Sequence, residues 1–503
     1  MKLIKKIAAI LFAFMMVVSM SCNVKADDTT KTTGETGTIT INNAIPEQTY
    51  TIYKILDLES YSPKVVNGKE TGNFAYKPSS EWESFIKGEN VKDKYFTFEG
   101  EYVSWKENAN PATFAKLALD YAKQNSSIIK TFKVEKAPAA SAEQATTTVT
   151  FSVLDLGYYL VDSSVGTLCS LDTTKPDSTI EEKNGVPSVD KKVSSTETGN
   201  YYTSNTASIG DTVYFQTTIT AQPGAQNYVL HDKMDAGLTF NESSVKAILN
   251  KNETKENKEL TATDYSVVTS DLEDSGPKCT FHIEFTPKLC ESLKADDTIT
   301  VTYSATLNDK AVIGSTGNVN ETKLNYGDSK ETTESKTHTF TYDIPVFKYT
   351  MKDNVKTELE HAKFTLSLNE DGANPIKFKE SNEKNKYIKD ETGAITEVES
   401  PQDGKLTFEG LGAGTYYLTE TKQPDGYNKL AKSIKIVIDV NGDITVDGKL
   451  ITGVDKLVEV ENKTGTVLPS TGGVGTTMIY LIGAVLVLGS GVVLATKRRV
   501  KNK

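Results

Sequence analysis

The sequence predicts an all-β chain of tandem immunoglobulin-like β-sandwich domains, with one short helix in the first domain. Three observations predict it. Thr, Val, Ile and Tyr alternate with polar residues in short runs, as in Val213-Tyr214-Phe215-Gln216-Thr217-Thr218-Ile219 and Ile434-Lys435-Ile436-Val437-Ile438. That period of two marks a half-buried strand. Gly, Asn and Asp punctuate the runs. Breaks at Lys183-Asn184-Gly185-Val186-Pro187 and in the Thr/Ser/Glu-rich stretch from Gly327 to Lys336 divide the chain into segments of roughly 37–183, 187–330 and 340–463, each of sandwich size.

The N-terminus reads as a secretory signal peptide over residues 1–26. Lys2, Lys5 and Lys6 form its charged start, Ile7 to Val18 its apolar run, and Val24-Lys25-Ala26 a small-residue cleavage site. The run is too short for a retained membrane helix, which needs about 20 residues. Ser19 stands where a lipoprotein signal ahead of Cys22 would carry an aliphatic residue.

At the other end, Leu468-Pro469-Ser470-Thr471-Gly472 precedes an apolar stretch from Met478 to Ala495 and then Lys497-Arg498-Arg499. The stretch is long enough to cross a bilayer, and the basic residues hold its end in the cytoplasm. Residues 468–503 therefore form one terminal unit.

The formal net charge is −11. The signal region carries four Lys and no acid, and residues 473–503 carry five basic residues and no acid, so the chain between them stands at −20. Such a surface has no electrostatic footprint for nucleic acid. Of the cysteines, Cys169, Cys279 and Cys290 remain after processing; an odd count makes no disulfide framework, although Cys279 can pair with Cys290. His231, His282, His338 and His361 are scattered along the chain, and no metal or cofactor is expected. No hydrolase elbow, phosphate loop or metal-ligand spacing appears, so the chain is not expected to be an enzyme.

In the first domain Asn110 caps a helix, Pro111 takes its first position, and Phe114, Leu117, Ala118, Tyr121 and Ala122 line one face. An internal repeat follows: Leu156-Gly157-Tyr158-Tyr159-Leu160-Val161-Asp162 resembles Gly414-Thr415-Tyr416-Tyr417-Leu418-Thr419-Glu420.

The third domain opens with Val346-Phe347-Lys348 and closes with Val458-Glu459-Val460-Glu461-Asn462. Side chains alternate along a strand, so Lys348 shares a face with Val346, and Asn462 with Val458 and Val460. Glu420 follows the aromatic-rich strand between them. The second domain repeats the pattern. Val189, Lys191 and Val193 share a face, which favours Lys191 over Lys192. Tyr228-Val229-Leu230-His231-Asp232-Lys233-Met234 carries an acid, Asp232. The closing strand Asn318-Val319-Asn320-Glu321-Thr322-Lys323-Leu324-Asn325-Tyr326 offers Asn320, with Asn318 on the same face as a rival.

These residues resemble the self-crosslinking, collagen-adhesin A/B-type domains of Gram-positive backbone pilins, and the C-terminal unit resembles the cell-wall sorting signal of sortase substrates. The resemblance implies Lys–Asn isopeptide bonds between Lys191 and Asn320 and between Lys348 and Asn462, with Asp232 and Glu420 as acid/base groups. A Lys in apolar surroundings loses its proton and becomes a nucleophile, while a buried carboxyl keeps its own and can donate it. The first domain has Asp162 in the acid's place, but its opening strand Thr38-Ile39-Thr40-Ile41-Asn42 supplies no Lys, so no crosslink is expected there.

The resemblance further implies cleavage between Thr471 and Gly472 and transfer of Thr471 to an acceptor amine, with Lys183 in Glu181-Glu182-Lys183-Asn184 as the candidate. Its expected partners are a pilin-specific sortase, identical subunits, minor tip and base pilins, and peptidoglycan through a housekeeping sortase. The expected function is a pilus shaft subunit on the cell wall. A monomeric wall-anchored adhesin for a host ligand is the alternative.

Overall fold

The computed structural model describes residues 36–62, 65–66, 69–70, 73–106, 108–131, 133–139, 147–164, 166–173, 177–269, 279–328, 330–453, 456–465 and 474–500. The expected signal peptide and the Leu468–Gly472 motif lie outside the described residues, as does the side chain of Cys169. The chain divides into two compact units, Met1–Tyr342 with Gly410–Ala413, and Asp343–Glu409 with Gly414–Lys503.

The first unit holds two pairs of sheets. In its N-terminal pair a three-stranded sheet orders Asp177–Glu181, Thr36–Ala44 and Thr147–Asp155. The other sheet runs through Gly166–Thr173, Gly157–Ser163, Thr49–Ser62 and Asn73–Pro78. Alternation sends Ile39, Ile41, Val149 and Phe151 from one sheet against Tyr50, Ile52, Tyr159 and Val161 of the other, and these residues form one buried core.

A helix covers Pro111–Gln124, with Asn110 Oδ1 accepting the Thr113 N–H at 3.2 Å. Phe114, Ala118 and Ala122 face inward, where Phe114 meets Tyr95, Phe96 and Trp105. Leu117 departs from expectation: it is 37% exposed, while Ala115 and Leu119 are buried. Ala115 and Leu119 join Phe114, Ala118 and Ala122 in one buried cluster, with Tyr121 packed against it. Two single-turn helices, Glu83–Ile86 and Lys92–Tyr95, bring Ile86 and Tyr95 into the same cluster.

In the middle of the chain, one sheet orders Ser188–Ser194, Thr212–Thr220, Thr298–Leu307, Leu238–Asn250 and Asn257–Glu259. The facing sheet orders Ser204–Thr206, Ser335–Phe340, Asn318–Tyr326, Val229–Met234, Phe281–Phe285 and Tyr265–Val268. Val213, Phe215, Thr217 and Ile219 alternate inward on one, and Asn318, Asn320, Thr322 and Leu324 on the other. The two sheet pairs of this unit touch through Lys123, whose Nζ lies 3.6 Å from Asp162 and 3.0 Å from Asp328, and through Asp328 N–H, which donates to Ser164 O at 3.1 Å.

In the second unit, Tyr342–Lys352 lies between Val355–Glu358 and Lys405–Leu411, and Val458–Glu461 pairs with it in parallel. The facing sheet centres on Lys363–Ser367, Gly414–Lys422 and Ile434–Ile438. A final helix covers Val474–Val500, of which Thr477–Arg498, 22 residues, is long and apolar enough to cross a membrane.

Candidate crosslinking sites

The middle sandwich buries three polar groups that its two sheets bring together. Lys191 is 1% exposed on the Ser188–Ser194 strand, whereas its neighbour Lys192 turns outward to pair with Asp190 at 3.1 Å. Across the core, Lys191 Nζ lies 2.5 Å from Asp232 Oδ2. The Tyr303 hydroxyl completes the cluster: it donates to Asp232 Oδ2 at 2.5 Å and accepts from both Lys191 Nζ and Asn320 Nδ2, the latter at 3.1 Å. Amine and amide thus flank one oxygen. Phe215 stacks on Tyr303, and Phe281 meets it edge-on at 5.1 Å, closing the cluster in aromatic rings.

Burial pushes the Lys191 ammonium down and the Asp232 carboxyl up, each against the attraction of the other. Both shifts favour the neutral amine beside the protonated acid, because neither charge has water to hold it. Burial likewise raises Tyr303, which stays a phenol.

Asn318 is also buried, but its amide is fully engaged. Its Oδ1 accepts the Val312 N–H at 2.9 Å, and its Nδ2 donates to the carbonyls of Val312 and Thr339 at 3.2 and 3.1 Å. It anchors a loop and makes no hydrogen bond within the cluster. Asn320 has the opposite character: its Oδ1 is buried without a partner.

The second unit assembles a similar trio differently. Lys348 and Val460 are direct partners in parallel strands, which places Asn462 two residues further along the strand beside the lysine. Gly404, at φ +66°, lets the neighbouring turn close on this strand; a Cβ there would lie 2.3 Å from Lys348 O. Glu420 comes from the facing sheet, with Oε1 3.4 Å from Lys348 Nζ. Its Oε2 accepts from Asn462 Nδ2 at 3.0 Å and from the Leu430 N–H at 2.8 Å. Asn462 Nδ2 also donates to Asn428 O at 3.0 Å, and Lys348 Nζ to Val460 O at 3.2 Å. Lys348, Glu420 and Asn462 are all buried. Burial pulls the Lys348 amine down to about 8, opposed by Glu420.

One feature recurs in both clusters. Asp232 Oδ1 and Asn320 Oδ1, and likewise Glu420 Oε1 and Asn462 Oδ1, are buried without a hydrogen-bond partner. Two acceptors in each site lack a hydrogen-bond donor, a costly arrangement that the proton held by burial on Asp232 relieves in the middle sandwich.

Tyr303 escaped the sequence reading, although it is the one hydroxyl-bearing aromatic on an inward row otherwise made of Ile299, Val301, Ala305 and Leu307. A buried phenol wants a partner, and that was the signal. Asn428 O and Leu430 N are backbone groups and give no such signal.

Asp162 is buried at the equivalent position of the first sandwich and meets Lys123 of the helix, but among the described residues no amide completes a trio there. Lys183 is exposed just beyond the Asp177–Glu181 strand, where buried Glu182 Oε1 accepts the N–H groups of Lys183 and Asn184 at 2.9 and 2.8 Å and fixes the turn. Cys279 and Cys290 do not pair; both thiols are free, Cys290 being buried within the Pro287–Ser292 helix. His231 and His282, apparently scattered, lie opposite one another on adjacent strands with Cys279 beside them.

Residues 207–330 match the Gram-positive pilin backbone subunit 2, Cna-B-like domain; residues 346–450 match the SpaA prealbumin-like fold domain; and residues 460–503 match the LPXTG cell wall anchor motif. The T6 backbone pilin of serotype M6 Streptococcus pyogenes has a similar structure, at 19% identity over 83% of this chain and 81% of that one, with a TM-score of 0.50. The Corynebacterium diphtheriae major pilin SpaA is 14% identical over 85% of this chain and 100% of that one, with a TM-score of 0.46. The group B streptococcus pilus 2b backbone protein is 28% identical over 56% and 99%, with a TM-score of 0.42. No curated protein matches the chain.

The fold and the anchor define a secreted protein fixed to the Gram-positive cell wall. More particularly, the pilin backbone domain at residues 207–330 and the LPXTG anchor make the chain a structural subunit of a pilus, with sortase-mediated polymerisation and linkage to the wall.

Proposed function

We propose that this subunit is hardened for load by two internal isopeptide bonds, Lys191–Asn320 and Lys348–Asn462, which it forms without help. The observation that carries the reading is the double one above: in each sandwich an amine, a carboxyl and a side-chain amide lie together out of water, and one carboxyl oxygen and one amide oxygen lack a donor. The proton on Asp232 or Glu420 polarises the asparagine carbonyl. The neutral lysine amine then attacks Cγ, a new C–N bond forms, and the original C–N bond breaks. The amine's proton passes through the carboxylate to the leaving nitrogen, so ammonia departs and the acid is regenerated. Each reaction occurs once per chain.

The two bonds join different parts of their sandwiches. Lys191–Asn320 ties one sheet to the other, while Lys348–Asn462 ties the first strand of its domain to the last within one sheet. Across the proposed modules 187–330 and 340–463, tension then passes through covalent links near the ends of each. The first module, 37–183, carries none.

Polymerisation uses Thr471 of one subunit and Lys183 of the next, joined by a pilin-specific sortase; minor tip and base pilins complete the fibre, and a housekeeping sortase transfers it to peptidoglycan. The exposure of Lys183 on a turn fixed by Glu182 supports the assignment. Cell-wall extracts boiled in detergent give a covalent ladder with antibody against the wild-type chain and a single band with Lys183→Ala. A ladder that persists in the variant moves the acceptor elsewhere, and a single band from the wild type favours the adhesin.

A further inference from the structure

His231 and His282 sit directly opposite one another on the adjacent Val229–Met234 and Phe281–Phe285 strands, their ring centroids 5.4 Å apart, each 6% exposed. Cys279, just before the second strand, brings its sulfur to the same place, so that one donor atom from each of the three residues lies within 4.8 Å of the others. The alternation that sends Asp232 into the core turns His231 to the opposite face of the sheet. This cluster is therefore separate from the crosslinking site.

His282 is engaged at one ring nitrogen only. Its Nε2 lies 3.3 Å from Glu284 Oε1, and its Nδ1 is buried without a partner. A carboxylate on one ring nitrogen places the proton there and leaves the lone pair on the other, the arrangement that orients metal-binding histidines. The surrounding charges do not oppose a cation strongly. Lys323, opposite His231 in register, is held by Glu331 at 2.7 and 2.8 Å, and Glu284 adds a carboxylate.

We propose that His231, Cys279 and His282 form a binding site for a transition-metal cation of the zinc class. Two imidazoles and a thiolate are a borderline-soft set that suits such an ion, with a fourth position left for water. On binding, the Cys279 thiol proton leaves to solvent and a sulfur–metal bond forms, with no change of oxidation state. The bound ion clips two neighbouring strands of the sheet that carries Asp232.

Co²⁺ added to the full chain, purified in detergent under reducing conditions, tests this. The expected result is one equivalent bound, with the near-ultraviolet thiolate-to-cobalt band and the intense visible absorption of a tetrahedral site, both displaced by Zn²⁺. Cys279→Ser removes the ultraviolet band, Cys290→Ser retains it, and Glu284→Gln weakens Zn²⁺ binding by roughly tenfold or more. Melting of each metal-free variant near the wild-type temperature shows that the fold is intact. Binding without the thiolate band, or a band that survives Cys279→Ser, overturns the site.

Discussion

Lys348→Met removes the reacting amine of the second unit while keeping the length and apolar stem of the side chain. The bond it would delete closes a loop of roughly 115 residues, for which the chain-entropy model of a crosslink gives about 4.8 kcal/mol. Local effects are smaller. Val460 O loses the lysine as a donor, and Glu420 Oε2 keeps Leu430 N and Asn462 Nδ2, so the net packing change is about 1–2 kcal/mol. For a domain of this size 1 kcal/mol shifts the melting temperature by roughly 4 °C, so the endotherm of this unit is expected about 20 °C lower. Glu420→Gln keeps the lysine but cannot supply the proton, and it should fall by a similar amount. Calorimetry gives the shift, and intact mass gives the cause: the processed wild-type chain is expected to be lighter than its residues by two ammonia masses, each variant by one. A wild-type mass equal to the residue sum, or a shift of only about 5 °C with the mass unchanged, refutes the reasoning.

Tyr303→Phe removes the hydroxyl shared by Lys191, Asp232 and Asn320, and is expected to slow or abolish the middle crosslink while leaving that of Lys348 intact; peptide mapping distinguishes the two. Asn320→Ala should lose the middle bond completely, whereas Asn318→Ala should keep it and only loosen the loop at Val312. Burial lifts Asp162 up to about 7, with Lys123 opposing the shift. The folded state thus holds a proton that the unfolded chain releases near pH 4, and stability falls as pH rises between about 4 and 7, by up to about 4 kcal/mol. In denaturant titrations Asp162→Asn should therefore equal or exceed the wild type at pH 8 and flatten this slope; an unchanged slope means that Asp162 is not its source.

The two clusters show where sequence reasoning stops. Strand alternation is local, and it identified Lys191 over Lys192 as the inward lysine and set Lys348 and Asn462 on apolar faces; the burial of each follows that pattern. Alternation could not separate Asn318 from Asn320, since both face inward. The two differ in their partners: the carbonyls of Val312 and Thr339 engage the Asn318 amide, while that of Asn320 donates to Tyr303. It also could not locate the inward edge of the Pro111–Gln124 helix, because the aromatic cluster it packs against is assembled from distant residues.

By itself, then, the sequence determined the all-β class, the sorting tail and the inward-facing lysines, because each depends on the identity of neighbours along the chain. Only the tertiary structure decided that Tyr303 stands between amine and amide, and that His231, Cys279 and His282 meet. Those meetings depend on the pairing and facing of strands far apart in sequence, and a period of two carries no information about which strand lies opposite which.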